Sequence, residues 1–177
     1  MKHMATAAGS LTLEQYHKQY GSEPGWEFWF GEAVRKPVPT WYHCVLQILL
    51  GKLLFRARYV AGSELDLRID PNWEPRPDVT AALSITGRYP TKSSDIELVI
   101  EILSDDQMRT LLDKCQQYAR IGIAHIYVFD PEGRRIWKWN ASINDLDHCV
   151  DVDLPNGTVL RYDDIWSEFE RRLAPAK

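Results

Sequence analysis

Ile96-Glu97-Leu98-Val99-Ile100-Glu101-Ile102-Leu103 is a nearly continuous apolar run broken only by Glu97 and Glu101, the pattern of a strand covered on both faces. Downstream, Ser104 with Gln107 fits a capping box, and Met108, Leu111, Leu112, Cys115, Tyr118 and Ala119 form one apolar stripe on a helix that Gly122 ends. Ile126 to Phe129 is the next strand. Upstream, Asp78 to Ser84 reads as a strand, and Leu65, Leu67 and Ile69 alternate with Asp66, Arg68 and Asp70 in a half-buried strand stopped by Pro71. Before these, Val45, Ile48, Leu49 and Leu53 recur at helical spacing from Thr40, a cap, to about Phe55. The order is helix, three strands, helix, strand.

Additions flank this core. Thr12 and Gln15 fit a capping box opening a helix over Leu13 to Tyr20, and Trp26 to Phe30 with Ala33 to Val38 reads as a hairpin turning at Gly31-Glu32. After Phe129, Asp130-Pro131 and Glu132-Gly133 turn the chain into Arg135 to Asn140, where Trp137 and Trp139 share a face. Two short strands flank Asn156-Gly157, and a helix from about Asp163 carries Ile165, Trp166 and Phe169 inward. The fold class expected is α/β (α+β), with a mixed central sheet, an N-terminal hairpin and C-terminal strand and helix additions.

The 177 residues suit a single domain spanning 4–177, Met1 to His3 being read as an expression remnant. Cys44, Cys115 and Cys149 are odd in number and far apart, which leaves no disulfide framework and no C-x-x-C motif. The longest apolar stretch, Cys44 to Leu50, is too short to span a bilayer, so no membrane role and a cytoplasmic location are expected. A net charge of −4 argues against coating nucleic acid by charge alone, leaving only a local basic groove for phosphate, for which Arg76, Arg88, Lys92 and Arg109 are candidates.

Two carboxylates stand where carboxylates are costly. Glu101 lies in the most apolar segment, where an ionised group must be paired, bound to a cation or driven toward neutrality. Asp78 follows Arg76-Pro77, whose restricted backbone aims the next side chain reproducibly. On neighbouring strands the two can converge on one hard cation, with the backbone carbonyl of Ile102 and waters completing an oxygen shell; Mg²⁺ is the natural ion. Lys114 falls at the edge of the helix stripe beside Leu111 and Tyr118, from where its amine can snorkel toward the carboxylates, while Asp113 faces solvent. Structural readings stand beside these: Asp78 as a turn-bonding residue, and Glu101 with Lys114 as a buried ion pair.

These residues carry a resemblance. Arg76-Pro77-Asp78-Val79, Ile96 to Ser104, Asp113-Lys114 with Tyr118 and Gly122, and Ile126-Tyr127-Val128-Phe129-Asp130-Pro131 closely resemble the Uma2 family. Trp26-Glu27-Phe28-Trp29-Phe30-Gly31-Glu32 looks like that family's N-terminal hairpin and His43 like its helix histidine, so the similarity spans about residues 11 to 140. The family is a branch of the PD-(D/E)XK nuclease superfamily, so the resemblance implies a restriction-endonuclease-like core and Asp78 and Glu101 as ligands of Mg²⁺ or Mn²⁺. One departure stands out: Leu103 occupies the motif's lysine position, and Lys114 on the following helix matches the lysine this family supplies there. Glu27 and His43 are further catalytic candidates, with an exposed strand face and ordinary helix packing as their structural readings.

Two functions follow. The first is a metal-dependent endonuclease that hydrolyses the phosphodiester bonds of DNA with Mg²⁺-activated water. The second is a catalytically inactive module of the same fold that binds DNA or protein, for which Leu103 and the net negative charge speak. A homodimer is expected because Trp137, Trp139 and the Trp26 to Phe30 hairpin offer more large apolar surface than one small core covers.

Overall fold

The computed structural model describes residues 10–87, 91–104 and 108–174. The capping contribution of Gln107, and Arg88 as a phosphate contact, therefore lie outside the described residues. In chain order the elements are α1 (Leu13–Tyr20), β1 (Trp26–Trp29), β2 (Glu32–Arg35), α2 (Trp41–Arg56), β3 (Val60–Gly62), β4 (Leu67–Arg68), β5 (Trp73–Glu74), β6 (Val79–Ala82) and β7 (Thr91–Lys92). A short 3₁₀ turn, Ser93–Asp95, leads into β8 (Leu98–Ile102), α3 (Met108–Arg120), β9 (His125–Asp130), β10 (Arg135–Asn140), β11 (Asp145–Cys149), β12 (Val152–Asp153), β13 (Val159–Leu160) and α4 (Tyr162–Leu173).

The central sheet has the strand order β11-β10-β9-β8-β6-β3 and is mixed: β8 and β9 run parallel across the α3 crossover, and every other neighbouring pair is antiparallel. Strand alternation divides the core in two. Leu98, Ile100 and Ile102 of β8 join Tyr127 and Phe129 of β9 under Leu46, Leu49, Leu50 and Leu54 of α2 and Ile165, Trp166 and Phe169 of α4. Val99, Ile126 and Val128 face the other way, onto Leu111, Cys115 and Tyr118 of α3. Glu101 shares the parity of Val99 and so points toward α3.

The order helix, three strands, helix, strand is present as α2, β3, β6, β8, α3 and β9. Its first strand, however, is Val60–Gly62 and not Leu65 to Ile69, of which only Leu67–Arg68 pairs, in parallel with Thr91–Lys92. Of the alternating apolar residues only Leu67 is buried, Leu65 being exposed and Ile69 half-buried, so the stretch is mostly loop between β3 and β6. On α2, Ile48 is exposed and Leu46, Leu50 and Leu54 are buried instead. A helix apolar on most sides offers periodicity no single face to select. The first hairpin turns at Phe30 and Gly31, both at positive φ, one residue earlier than Gly31-Glu32, and pairs Trp29 with Glu32. The capping box of Thr12 and Gln15 and the Thr40 cap, which accepts from the His43 amide, are in place.

Phe28 and Trp139 are buried, and Trp137 packs with Trp139 in the cluster under α3. Trp26 and Trp29 are half-buried and Phe30 is exposed, as are Trp41, Ile48 and Phe55 of α2.

Asp130 holds the β9 to β10 turn. Its Oδ1 accepts from the amides of Glu132 (3.0 Å) and Gly133 (2.8 Å), and its Oδ2 accepts from Arg135 Nε (3.0 Å) and Nη2 (2.6 Å). Burial alone would raise its pKa, but the Gly133 amide and Arg135 hold it below the ordinary value. A depressed carboxyl contributes stability above its unfolded pKa and loses it as pH falls through the folded one. Asp130→Asn is expected to cost about 1.5–3 kcal/mol near neutral pH, in the range of hydrogen bonds to charged groups. That deficit is expected to narrow on acidification below the ordinary carboxylate range. Urea denaturation of both proteins across that range checks it; a gap independent of pH contradicts it.

Candidate active site

Pairing of Val79 with Ile100 in the β6–β8 ladder, continued one residue, sets Asp78 opposite Glu101. Both carboxylates are buried, at 2% and 1% exposure, and both line a cavity of about 510 Å³ between the first hairpin, the N-terminal end of α2 and α3. Asp78 Oδ2 accepts from the Ile102 amide (2.7 Å), and Oδ1 accepts from Lys36 Nζ (2.8 Å) with His43 Nε2 at 3.5 Å. The contact between Ile102 and Asp78 thus runs through the amide N–H. Burial would raise the Asp78 pKa, but the Lys36 charge and the His43 contact hold the group well below the usual carboxylate range.

Glu101 has different company. Its Oε1 accepts from the Tyr118 hydroxyl (2.8 Å) and its Oε2 from Lys114 Nζ (3.3 Å). Burial pushes its pKa up to about 7; Lys114 pulls the other way, and the Asp78 charge adds to the rise. Lys114 is itself buried: desolvation disfavours its charge, yet Glu101 and Glu27 together raise its pKa. It donates to Glu27 Oε1 at 2.8 Å.

Glu27 is not on an exposed strand face but 2% exposed in β1, accepting from the Arg76 amide (2.8 Å) and Trp29 Nε1 (3.0 Å) as well as from Lys114. His43, in the first turn of α2, is buried, with Nδ1 2.8 Å from Ser104 Oγ. The structure therefore brings Asp78, Glu101, Lys114, Glu27 and His43 around one cavity. Of the basic candidates, Arg76 lines it, but its guanidinium is engaged by Asp66 and by the Glu23 carbonyl. Lys92 and Arg109 are exposed and are not among the residues lining it.

Three residues that sequence reasoning did not single out also reach the site. Lys36, just after β2, contacts Asp78 and Glu64; Glu64 sits in the loop after β3; Gln47 of α2 donates to the Asp78 carbonyl (2.8 Å). No periodicity marks any of them. One donor atom each from His43, Glu64 and Asp78 lies within 4.8 Å of the others. The donor chemistry, carboxylate oxygens with one imidazole, suits a hard or borderline divalent cation. Four carboxylates, Glu27, Glu64, Asp78 and Glu101, line the cavity together with Lys36, Lys114, Arg35 and Arg76, and burial is the main cause of the raised Glu101 pKa.

Comparisons with known proteins meet this geometry. Among curated proteins none matches the chain. A solved structure titled "Crystal structure of a putative nuclease belonging to DUF820 from Anabaena variabilis ATCC 29413" aligns with a TM-score of 0.70 at 20% identity, covering 90% of this chain and 99% of that one. At that identity the likeness speaks for the fold, which is nuclease-like. The Uma2 family, described as "Putative restriction endonuclease", matches residues 13–170, a span that takes in both paired carboxylates, both lysines and the whole central sheet. The chain belongs to the Uma2 family.

Proposed function

We propose that the protein is a divalent-metal-dependent endonuclease acting on DNA. The observation that carries this reading is the convergence of two buried carboxylates, Asp78 and Glu101, from paired strands on one cavity. Asp78 and Glu101 are the ligands of Mg²⁺ or Mn²⁺, with the Ile102 carbonyl as the third protein oxygen. The ion supplies positive charge for the scissile phosphate and acidifies an attacking water.

The remaining roles belong to the protein's own groups. Lys114, fixed by Glu27 and Glu101, holds an ammonium beside the ligands, where it orients the water and offsets charge on the phosphate. Tyr118 keeps one Glu101 oxygen in place. His43, restrained by Ser104, stands beside Asp78 within reach of a phosphate oxygen or a proton in transit. DNA as substrate rests on the family description and on the fold.

A second reading, a catalytically silent module that binds DNA or protein, is favoured by Leu103 at the motif's lysine position and by the ammonium partners that both carboxylates already have. Supercoiled plasmid incubated with the protein in Mg²⁺, Mn²⁺ or chelator separates the two. Nicked and linear products with metal alone are expected. Intact plasmid under every condition, together with no heat of Mg²⁺ or Mn²⁺ binding at millimolar concentration, selects the silent module.

A further inference from the structure

Lys36 lies between β2 and Pro37, its backbone tied by a hydrogen bond from its amide to the Gly25 carbonyl (2.8 Å). Its side chain is 12% exposed. Nζ meets four oxygens: both carboxylate oxygens of Glu64 at 2.8 Å each, the Arg76 carbonyl at 2.7 Å and Asp78 Oδ1 at 2.8 Å. An ammonium has three N–H bonds to offer, so the oxygens outnumber its protons. That surplus is how oxygen ligands gather round a cation, and it exceeds the need of a simple ion pair. Asp78 Oδ1 belongs at once to this cradle and to the His43 contact. Glu64 completes it from a left-handed backbone conformation, φ 54°, that a non-glycine residue rarely adopts and that the surrounding contacts must hold.

We propose that Lys36 is an internal counter-ion that occupies the cation position beside Asp78 and is displaced when a divalent ion binds there. This rests on the metal-dependent reading above. Displacement has two consequences. While the ammonium sits in the cradle, Asp78 is closed to the ion, and apparent metal affinity falls by the fraction of time it is closed. Once expelled, the ammonium swings toward the cavity mouth, where Glu64 is the exposed partner, and is available to a substrate phosphate. Lys36 is thus a positioning residue that links metal occupancy to phosphate binding.

The test is calorimetric titration of Mn²⁺ into the wild type and Lys36→Gln, with melting curves to establish that both are folded. Lys36→Gln is expected to bind Mn²⁺ roughly tenfold or more tightly than the wild type, because the competitor is gone. Its plasmid cleavage is expected to fall nonetheless, an opposition that a merely structural lysine does not produce. Equal or weaker Mn²⁺ binding by the folded variant overturns the role of Lys36 and leaves the nuclease reading standing. Absence of Mn²⁺ binding by both proteins overturns the two together. A second measurement needs no variant: amine acetylation of the wild type, read by mass spectrometry, is expected to modify Lys36 faster with Mn²⁺ than with chelator, and an unchanged or slower rate contradicts displacement.

Discussion

Asp78→Asn is expected to reduce metal-dependent plasmid cleavage by roughly 100-fold or more, while the protein remains folded. Loss of a group that merely supports a ligand costs about 10–100-fold in metal affinity or activity, so removal of a ligand itself belongs at or beyond the upper end. Asn keeps the shape and can still accept the Ile102 amide hydrogen bond, but it lacks the charge that Lys36, His43 and a divalent ion meet. The substitution therefore separates chemistry from packing. Melting with chelator present checks that the fold survives, and single-turnover cleavage reads the chemical step. Cleavage within a few-fold of the wild type by the folded variant removes Asp78 from the metal site.

Lys114→Met is expected to destabilise the metal-free protein by about 3–5 kcal/mol, the range found when one partner of a buried ion pair is removed and the other charge is left uncompensated. The ammonium is 4% exposed and holds two carboxylates, Glu27 and Glu101, that are as deeply buried as itself. Methionine matches its length and leaves both acids without their cation. Glu27→Gln in the same chain is expected to recover part of the loss, since one of the two stranded charges is then gone. Urea denaturation of the four proteins of this cycle measures the coupling. A cost for Lys114→Met below about 1 kcal/mol is the behaviour of a solvent-screened surface pair and contradicts a buried one.

Glu101 and Lys114 were legible because each breaks a pattern. A carboxylate in a doubly covered strand is too costly to be incidental, and helical spacing from Leu111 and Tyr118 puts the lysine on the inward side of α3. Asp78 was legible from the proline before it. Glu27 was ambiguous for a physical reason: in a four-residue strand, parity alone does not tell which face is covered, and the cover comes from Arg76 and Lys114, distant in sequence. Lys36 and Glu64 left no local mark at all. They meet Asp78 only because the hairpin and the loop after β3 close over the same end of the sheet, a consequence of packing between segments 28 to 42 residues apart. The edge strand β11 escaped for the opposite reason, since Asp145, Asp147 and His148 make it polar and largely exposed, with no apolar alternation to betray it.

Crystals grown or soaked with Mn²⁺ and measured at a wavelength where manganese scatters anomalously test the central claim most directly. A single strong anomalous peak is predicted between the carboxylates of Asp78 and Glu101, at about 2.0–2.3 Å from their oxygens, with the Lys36 ammonium withdrawn from Asp78. No peak there at millimolar Mn²⁺, with Asp78 still held by Lys36 and Glu101 by Lys114, would contradict it.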